Sequence, residues 1–185
     1  MWLSVLFRPP TAAGVEVASI RVGLAVAEAL EAFTPLPVEL KWPNDLMLSG
    51  RKLGGVLCEA RWQGESLGWI AAGVGLNVCN QVPEDLSSLA ISLSAQHPEV
   101  TLDALAQAVV AALRQVDLGT GQLSAAELAQ FSRRDWLRGR AVSDPVAGTV
   151  TGLREDGALL VRSASGPDVP LRTGPVQLAA DSHTR

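Results

Sequence analysis

Four β-leaning stretches follow one another between residues 38 and 78, with very short segments between them. Those segments contain Pro-Asn, Ser-Gly-Arg and Gln-Gly-Glu-Ser, which are residue types that reverse the chain. Connections this short join antiparallel strands, because a parallel neighbour needs a crossover of about a dozen residues or more. The sequence therefore predicts antiparallel neighbours over 38–42, 45–48, 52–62 and 67–78.

Helices are expected around this sheet. Apolar residues on most faces predict a core helix over 15–32, which follows a short strand at 2–7. Thr101 is the predicted N-cap of a second helix, and Ser124 with Glu127 forms a capping box at the start of a third. These elements predict an α+β fold in which a mixed or antiparallel sheet packs against helices.

The last part of the chain differs in character. Residues 141–178 contain short β runs, an Asp156-Gly157 hairpin signal and a Gly166-Pro167 turn. This pattern predicts a small β-barrel-like module. We therefore expect a first domain over 1–138 and a C-terminal domain over 139–185.

Composition limits the possible functions. The 185 residues are 48% apolar and carry a net charge of −4, with the basic residues scattered, which argues against nucleic acid as the main partner. Charges interrupt the longest apolar stretch, 15–33, so no membrane span is expected, and no secretory signal is visible. Cys58 and Cys79 lack the spacing of a metal site and are interpreted as reduced thiols of a cytoplasmic protein.

The segment Lys41-Trp42-Pro43-Asn44-Asp45 carries the clearest chemical signal. Proline keeps the preceding residue extended, so the lysine should end one strand and the aspartate begin the next, with both at the same end of a hairpin. An ammonium there can stabilise a carboxylate or phosphoryl oxygen, and an aspartate can hold a metal ion or orient a ribose or an amine. The alternative is an exposed turn without a ligand.

Two glycine-containing strands add to this signal. Lys52 precedes Gly54 and Gly55, and paired glycines inside a strand indicate a bulge or the close approach of a ligand. Gly73 and Gly75 recur at the end of the next apolar strand and are followed by Asn77. Neither segment has the strand-turn-helix context of a dinucleotide site.

Lys-Trp-Pro-Asn-Asp, Arg-Lys-Leu-Gly-Gly and Gly-Val-Gly-Leu-Asn, in this order within 41–77, resemble the catalytic core of the biotin protein ligases. The resemblance extends in order through nearly the whole chain. It implies a core like that of the class II synthetases, followed by a small SH3-like β-barrel. A homodimer through the central sheet is a further implication.

The resemblance also implies a reaction. Biotin is activated with ATP to biotinyl-5'-AMP, with Mg²⁺ shielding the phosphates, and is then transferred to a lysine of the biotin carboxyl carrier protein of acetyl-CoA carboxylase. Lys41 is expected to contact biotin and the acyl-phosphate oxygens, while Asp45 and Lys52 act at the phosphate and in transfer. The other implied substrate contacts are Trp42, Asn44, Gly54, Gly55, Gly73, Gly75 and, near the adenine, Asn77.

Two features of the family precede the strand that 2–7 resembles: a stretch that recognises the biotin ring and a Gly-Arg-rich loop that closes over the adenylate. These 185 residues contain neither. Either the functional protein is a longer, complete ligase, or the chain is a truncated relative that acts as a binding protein. The sequence is also compatible with a lipoate-type ligase, or with a C-terminal module that docks a partner.

Overall fold

The computed structural model describes residues 1–163 and 166–179 and contains two five-stranded sheets and three α-helices. Strands of the first sheet lie in the order β1-β5-β4-β3-β2, and each neighbouring pair is antiparallel. The predicted antiparallel neighbours and the α+β class are confirmed. The strands are β1 (Trp2–Phe7), β2 (Val38–Lys41), β3 (Asp45–Leu48), β4 (Arg51–Gln63) and β5 (Ser66–Leu76).

The helices are α1 (Ala18–Leu30), α2 (Leu102–Leu113) and α3 (Ala125–Arg134). The predicted caps are present: the Thr101 hydroxyl accepts a hydrogen bond from Ala104 N–H, and Ser124 and Glu127 form the reciprocal capping box. Helix α1 lies against β2, β3 and β4 and also contacts α2 and α3. One face of the first sheet is therefore covered by helices.

A buried charge ties α1 to the segment that leads into α3. Arg21 is only 7% exposed, and its guanidinium donates hydrogen bonds to Glu127 (2.6 Å), to both oxygens of Thr120 and to the Gln122 carbonyl. Burial alone would raise the pKa of Glu127, but hydrogen bonds from Arg21 and Ser124 outweigh it and lower that pKa. The buried ion pair is thus satisfied on both sides, as burial of a charge requires.

The second sheet is formed by the C-terminal part of the chain. Its order is β10-β6-β7-β8-β9, again with antiparallel neighbours, and the predicted hairpin at Asp156-Gly157 joins β7 to β8. Among the described residues β9 and β10 lie at opposite edges without a pairing that closes the sheet, so the SH3-like barrel stays a prediction. Residues 164–165 and 180–185 of the predicted C-terminal domain lie outside the described residues. The strands are β6 (Ala141–Asp144), β7 (Gly148–Leu153), β8 (Leu159–Arg162), β9 (Asp168–Leu171) and β10 (Gln177–Leu178).

Buried contacts connect the two sheets. The Trp42 indole N–H donates to the Gly157 carbonyl at 3.0 Å, and Leu123 N–H donates to the Glu155 carbonyl at 2.7 Å. Apolar side chains of both sheets also belong to one continuous core. The domain boundary after Arg138 remains a prediction.

Within the described residues, we find no helix that has both the length and the apolar character needed to cross a membrane.

Candidate active site

One row of residues crosses the first sheet from edge to edge. The strand register pairs Lys41 with Asp45, Asp45 with Gly55, Gly55 with Gly75, and Gly75 with Trp2. Residues that pair across antiparallel strands point to the same face of the sheet. These five residues, which we call the Lys41 row, therefore share one face.

The Lys41 row lies on the face away from the helices. In β5 the alternate residues Ala72, Val74 and Leu76 are at most 4% exposed and belong to the core, so the intervening glycines face outward. On the outer face, Trp2 at the end of the row is 92% exposed. The next row on the same face pairs Leu57 with Gly73 and Gly73 with Ser4. The open face thus combines glycine backbone at Gly55 and Gly73 with exposed apolar side chains, and the Trp2 ring lies over Gly75.

The two lysines near the row differ in their partners. Lys52 Nζ lies 2.5 Å from Asp45 Oδ1, so this ammonium and this carboxylate form a salt bridge. Within 1–163 and 166–179, Lys41 takes part in no salt bridge. Its charge is therefore available to an anion that lies on the open face.

An aromatic ring lies beside the Lys41 ammonium. Lys41 Nζ is 5.4 Å from the centroid of the Trp136 ring, within the range of a cation–π contact. The Trp136 backbone N–H donates to the Leu40 carbonyl at 3.0 Å, which places this ring next to β2. Burial raises the pKa of the preceding Asp135 to about 6, although hydrogen bonds from the N–H groups of Leu137 and Arg138 oppose the shift.

The adjacent glycines of β4 have different surroundings. A Cβ at Gly54 would lie 2.2 Å from the Gly75 carbonyl oxygen, so this inward-facing glycine lets β4 and β5 approach. A Cβ at Gly55 would meet the Asn44 oxygen at 3.3 Å and Asp45 Oδ1 at 3.4 Å, on the open face. Gly54 thus has a packing role, and its expected contact with substrate remains a prediction. Gly55 stays a candidate for contact with a ligand.

Trp42, for which the resemblance implies a substrate contact that remains a prediction, is buried in this structure. Its side chain is 2% exposed and belongs to the core, and its indole N–H is bonded to Gly157 of the second sheet. Successive residues of an extended segment point to opposite faces, so Trp42 lies away from the open face that Lys41 occupies. The ring anchors the second sheet to the first.

The two predicted asparagines hold local structure. Asn44 Nδ2 donates to the Val56 carbonyl at 2.8 Å, and the Asn44 carbonyl accepts from Val56 N–H at 2.9 Å, which fixes the β2–β3 turn against β4. Asn77 Oδ1 accepts from Asn80 Nδ2 at 3.2 Å just beyond the end of β5. Their expected contacts with substrate remain predictions.

The structure thus brings Lys41, Asp45, Lys52, Gly55 and Gly75 together, with Gly73 in the neighbouring row. Residues that the sequence patterns missed are Trp2 and Ser4 on this face and Trp136 beside Lys41. The alternation of β1 could have identified the first two once the register was known. Trp136 has no local signal, because it reaches Lys41 only through the fold. A glycine-containing face flanked by the Trp2 ring and by an ammonium that forms no salt bridge among the described residues can accept an apolar ligand with an anionic end.

The part of the chain that contains this face matches a known protein family. Residues 1–77 match the sequence model described as the Biotin/lipoate A/B protein ligase family. This segment contains the five strands of the first sheet and all members of the Lys41 row. The match therefore includes the candidate site itself.

Curated relatives share parts of the chain. The biotin–[acetyl-CoA-carboxylase] ligase of Mycobacterium tuberculosis is 41% identical over 78 residues, which cover 40% of this chain and 27% of that protein. The bifunctional ligase/repressor BirA of Escherichia coli is 28% identical over 173 residues, which cover 87% of this chain and 53% of that protein. The chain thus spans less than two thirds of either relative.

A solved structure shares the fold. The biotin protein ligase of Aquifex aeolicus without ligands superposes with a TM-score of 0.80 at 22% identity, covering 96% of this chain and 82% of that one. The same protein in complex with biotin and ATP gives a TM-score of 0.72 at 24% identity, covering 96% and 77%. At this level of identity the likeness shows the fold.

Proposed function

We propose that the chain is a member of the biotin protein ligase family, which it resembles in sequence over residues 1–77 and in fold, and that it acts as a biotin–[acetyl-CoA-carboxylase] ligase. It activates biotin with ATP and transfers the biotinyl group to a lysine of biotin carboxyl carrier protein. The observation that carries the proposal is the Lys41 row, in which an ammonium without a carboxylate partner among the described residues ends a row that contains Gly55, Gly75 and the Trp2 ring. The names of the similar proteins from Mycobacterium tuberculosis and Aquifex aeolicus support it.

The open face suits the shape of biotin. Gly55 and Gly73 carry no side chains, so an apolar ring and chain can lie against the backbone of β4 and β5 beside the Trp2 ring, which covers Gly75. Trp2 at the far end of the row offers an aromatic surface, and Lys41 at the near end offers a charge for the carboxylate. In this orientation the reacting carboxylate lies beside Lys41.

In the first step, a carboxylate oxygen of biotin attacks the α-phosphorus of ATP. The bond from that phosphorus to the bridging oxygen breaks, and pyrophosphate leaves with the electron pair. Negative charge develops on the phosphoryl oxygens, and a preorganised cation stabilises this charge most where water is excluded. Lys41 supplies that cation, and Lys52 is a second one held by Asp45.

In the second step, the neutral amine of the carrier lysine attacks the acyl carbon of biotinyl-5'-AMP. The bond from that carbon to the phosphate oxygen breaks, AMP leaves, and the amine proton passes to solvent. Asp45 is the carboxylate of the row that can orient the incoming amine by a hydrogen bond. Lys41 stabilises the charge that returns to the leaving phosphate.

Mg²⁺ fits this site as an ion carried by the phosphates of ATP. Asp45 is the carboxylate of the Lys41 row, and Lys52 already occupies one of its oxygens. Mg²⁺ at phosphates typically needs only one or two protein carboxylates and keeps several waters. When bound, it neutralises phosphate charge, which lowers the barrier to attack by an anionic carboxylate.

Three measurements on the purified chain test the proposal. Biotin-dependent ATP–pyrophosphate exchange reports the first step, and transfer of labelled biotin to a carrier domain reports the second. Exchange that responds to lipoate and not to biotin would favour a lipoate-type ligase. Biotin binding by calorimetry without exchange would favour a binding protein, and absence of both would overturn the proposed function.

The family resemblance also supports a cytoplasmic homodimer that associates through the central sheet. The mass in solution, measured by sedimentation with and without biotin, tests the dimer. A monomer at all concentrations would contradict it.

A further inference from the structure

Trp136 lies beside Lys41 and takes no part in the reaction steps of the proposed function. The Lys41 ammonium lies 5.4 Å from the centroid of its ring, and the Arg140 guanidinium lies 4.0 Å from the same centroid. Both distances fall within the range in which a cation is attracted to the face of an aromatic ring. One indole thus contacts two cations at the edge of the first sheet.

The backbone fixes the position of this ring. Trp136 N–H donates to the carbonyl of Leu40, the residue directly before Lys41, and Asp135 forms a parallel bridge with the same residue. Arg140 Nε donates to the Trp136 carbonyl at 2.6 Å. The segment that follows α3 is therefore attached to β2 at the end of the Lys41 row.

The N–H group of the Trp136 indole is buried. Trp136 Nε1 is shielded from solvent and has no hydrogen-bond partner among the described residues. A buried indole N–H usually has a hydrogen-bond partner. Because Trp136 Nε1 has none among the described residues, a hydrogen bond from this group does not set the orientation of the ring. The contacts of the ring face with Lys41 and Arg140 are the polar interactions that remain.

A π face and a carboxylate hold an ammonium with different results. Asp45 forms a salt bridge with Lys52 and so places a negative charge beside it, whereas Trp136 contacts Lys41 without adding a negative charge. A cation held in this way is positioned yet keeps its full charge for an anionic ligand.

We propose that Trp136 is a positioning residue that holds the Lys41 ammonium over the open face without neutralising it. This proposal rests on the proposed function, because it assumes that Lys41 meets the anion of biotin or of ATP. Through Trp136, the segment before the second sheet affects the reaction at the first sheet.

Two variants separate the π face from the bulk of the ring. Trp136→Leu keeps an apolar side chain without a π system, and Trp136→Phe keeps a smaller π face. We expect Trp136→Leu to lower kcat for adenylate formation about three- to tenfold with a smaller change in KM, and Trp136→Phe to recover part of that loss. Trp62→Leu is the control, because Trp62 lies at the far end of β4 and is 46% exposed.

A double-variant cycle tests whether Trp136 acts through Lys41. In a Lys41→Ala background, Trp136→Leu should have no further effect on kcat, because the side chain that it positions is gone. Equal fractional losses in both backgrounds would overturn the proposal. So would wild-type kcat in Trp136→Leu.

A spectroscopic readout does not depend on activity. The ring should shift the NMR signals of the Lys41 side-chain methylenes upfield, and Trp136→Leu should abolish this shift while the chain stays folded. If wild type lacks the upfield shift, the positioning role is overturned whatever the enzyme does. If the shift is present but no adenylate forms, the proposed function fails and the contact stands.

Discussion

The two faces of the first sheet differ in how far their side chains are buried. On the inner face, Leu46, Val56 and Val74 are at most 2% exposed and pack against the helices, so their shape matters to folding. On the outer face, Trp2 is 92% exposed and Leu57 is 60% exposed, so these side chains contribute little to the core. The difference shows that neighbouring residues of one strand can serve stability and binding separately.

Gly54 and Gly55 show the same difference between two adjacent residues of β4. One faces inward against the backbone of β5, and the other faces outward beside Asp45. Both lack a side chain. At Gly54 this lets β4 and β5 pack closely, and at Gly55 it leaves space for a ligand. The same substitution at the two positions should therefore give different results.

The largest expected effect on stability comes from Gly54→Ala. Its Cβ would lie 2.2 Å from the Gly75 oxygen and 2.7 Å from Leu76 Cδ2, so β4 and β5 must move apart. We expect the free energy of unfolding to fall by about 3 kcal/mol, the upper part of the range for overpacking. Denaturant unfolding measures it, and an unchanged midpoint would show that the inner face tolerates a methyl group.

A smaller loss is expected from Trp42→Phe. This change removes the indole N–H that donates to Gly157 and leaves a buried carbonyl without its partner. The free energy of unfolding should fall by about 1–3 kcal/mol. Hydrogen exchange should accelerate in the β7–β8 hairpin before it does so in the first sheet, whereas uniform acceleration would contradict the role of Trp42 as an anchor.

The raised pKa of Asp135 predicts that the free energy of unfolding depends on pH. Burial raises its pKa from 3.8 to about 6, so the folded state holds this proton more tightly than the unfolded state does. Its contribution to stability is therefore complete below pH 3.8 and is lost as the pH rises through about 6. Because the side chain is only partly buried, the loss should be about 1–2 kcal/mol, less than the full shift implies.

Unfolding measurements at pH 4, 5, 6 and 8 test this dependence. Asp135→Asn keeps an oxygen that can accept from Leu137 N–H, so it is the matched control. The variant should lack the loss of stability between pH 4 and 6. Identical pH profiles for the variant and wild type would show that another group titrates.

Of the two glycine substitutions, Gly55→Ala should have the smaller effect on stability. Its Cβ would meet its neighbours at 3.3 Å or more, so the free energy of unfolding should change by less than about 1 kcal/mol. Because that methyl group projects onto the open face, biotin binding measured by calorimetry should weaken. Stable protein with undiminished biotin affinity would show that the ligand does not lie on this face.

Local patterns predicted much of the fold. Thr101 and Ser124 begin helices because their hydroxyl groups cap free N–H groups within three residues, and such contacts can be read from the sequence. Pro43 likewise predicts that Lys41 and Asp45 end and begin neighbouring strands, which the register confirms. These features depend only on residues close together in the chain.

Contacts across the fold could not be predicted in the same way. The indole N–H of Trp42 donates to Gly157, which lies 115 residues away, and no local pattern indicates this contact. Trp136 reaches Lys41 only because the segment after α3 pairs with Leu40. Which face each glycine occupies also depends on the β4–β5 register, because a shift by one residue exchanges the faces.

The most direct test of the account is the effect of Lys41→Ala on adenylate formation and on stability together. We expect biotin-dependent pyrophosphate exchange to fall about 100- to 1000-fold, as for loss of a group that stabilises developing charge. Because Lys41 is outward-facing and in no salt bridge among the described residues, the free energy of unfolding should change by less than about 0.5 kcal/mol. Arg61→Ala, an exposed cation further along β4, should leave exchange unchanged. Exchange at the wild-type rate in Lys41→Ala would contradict the account.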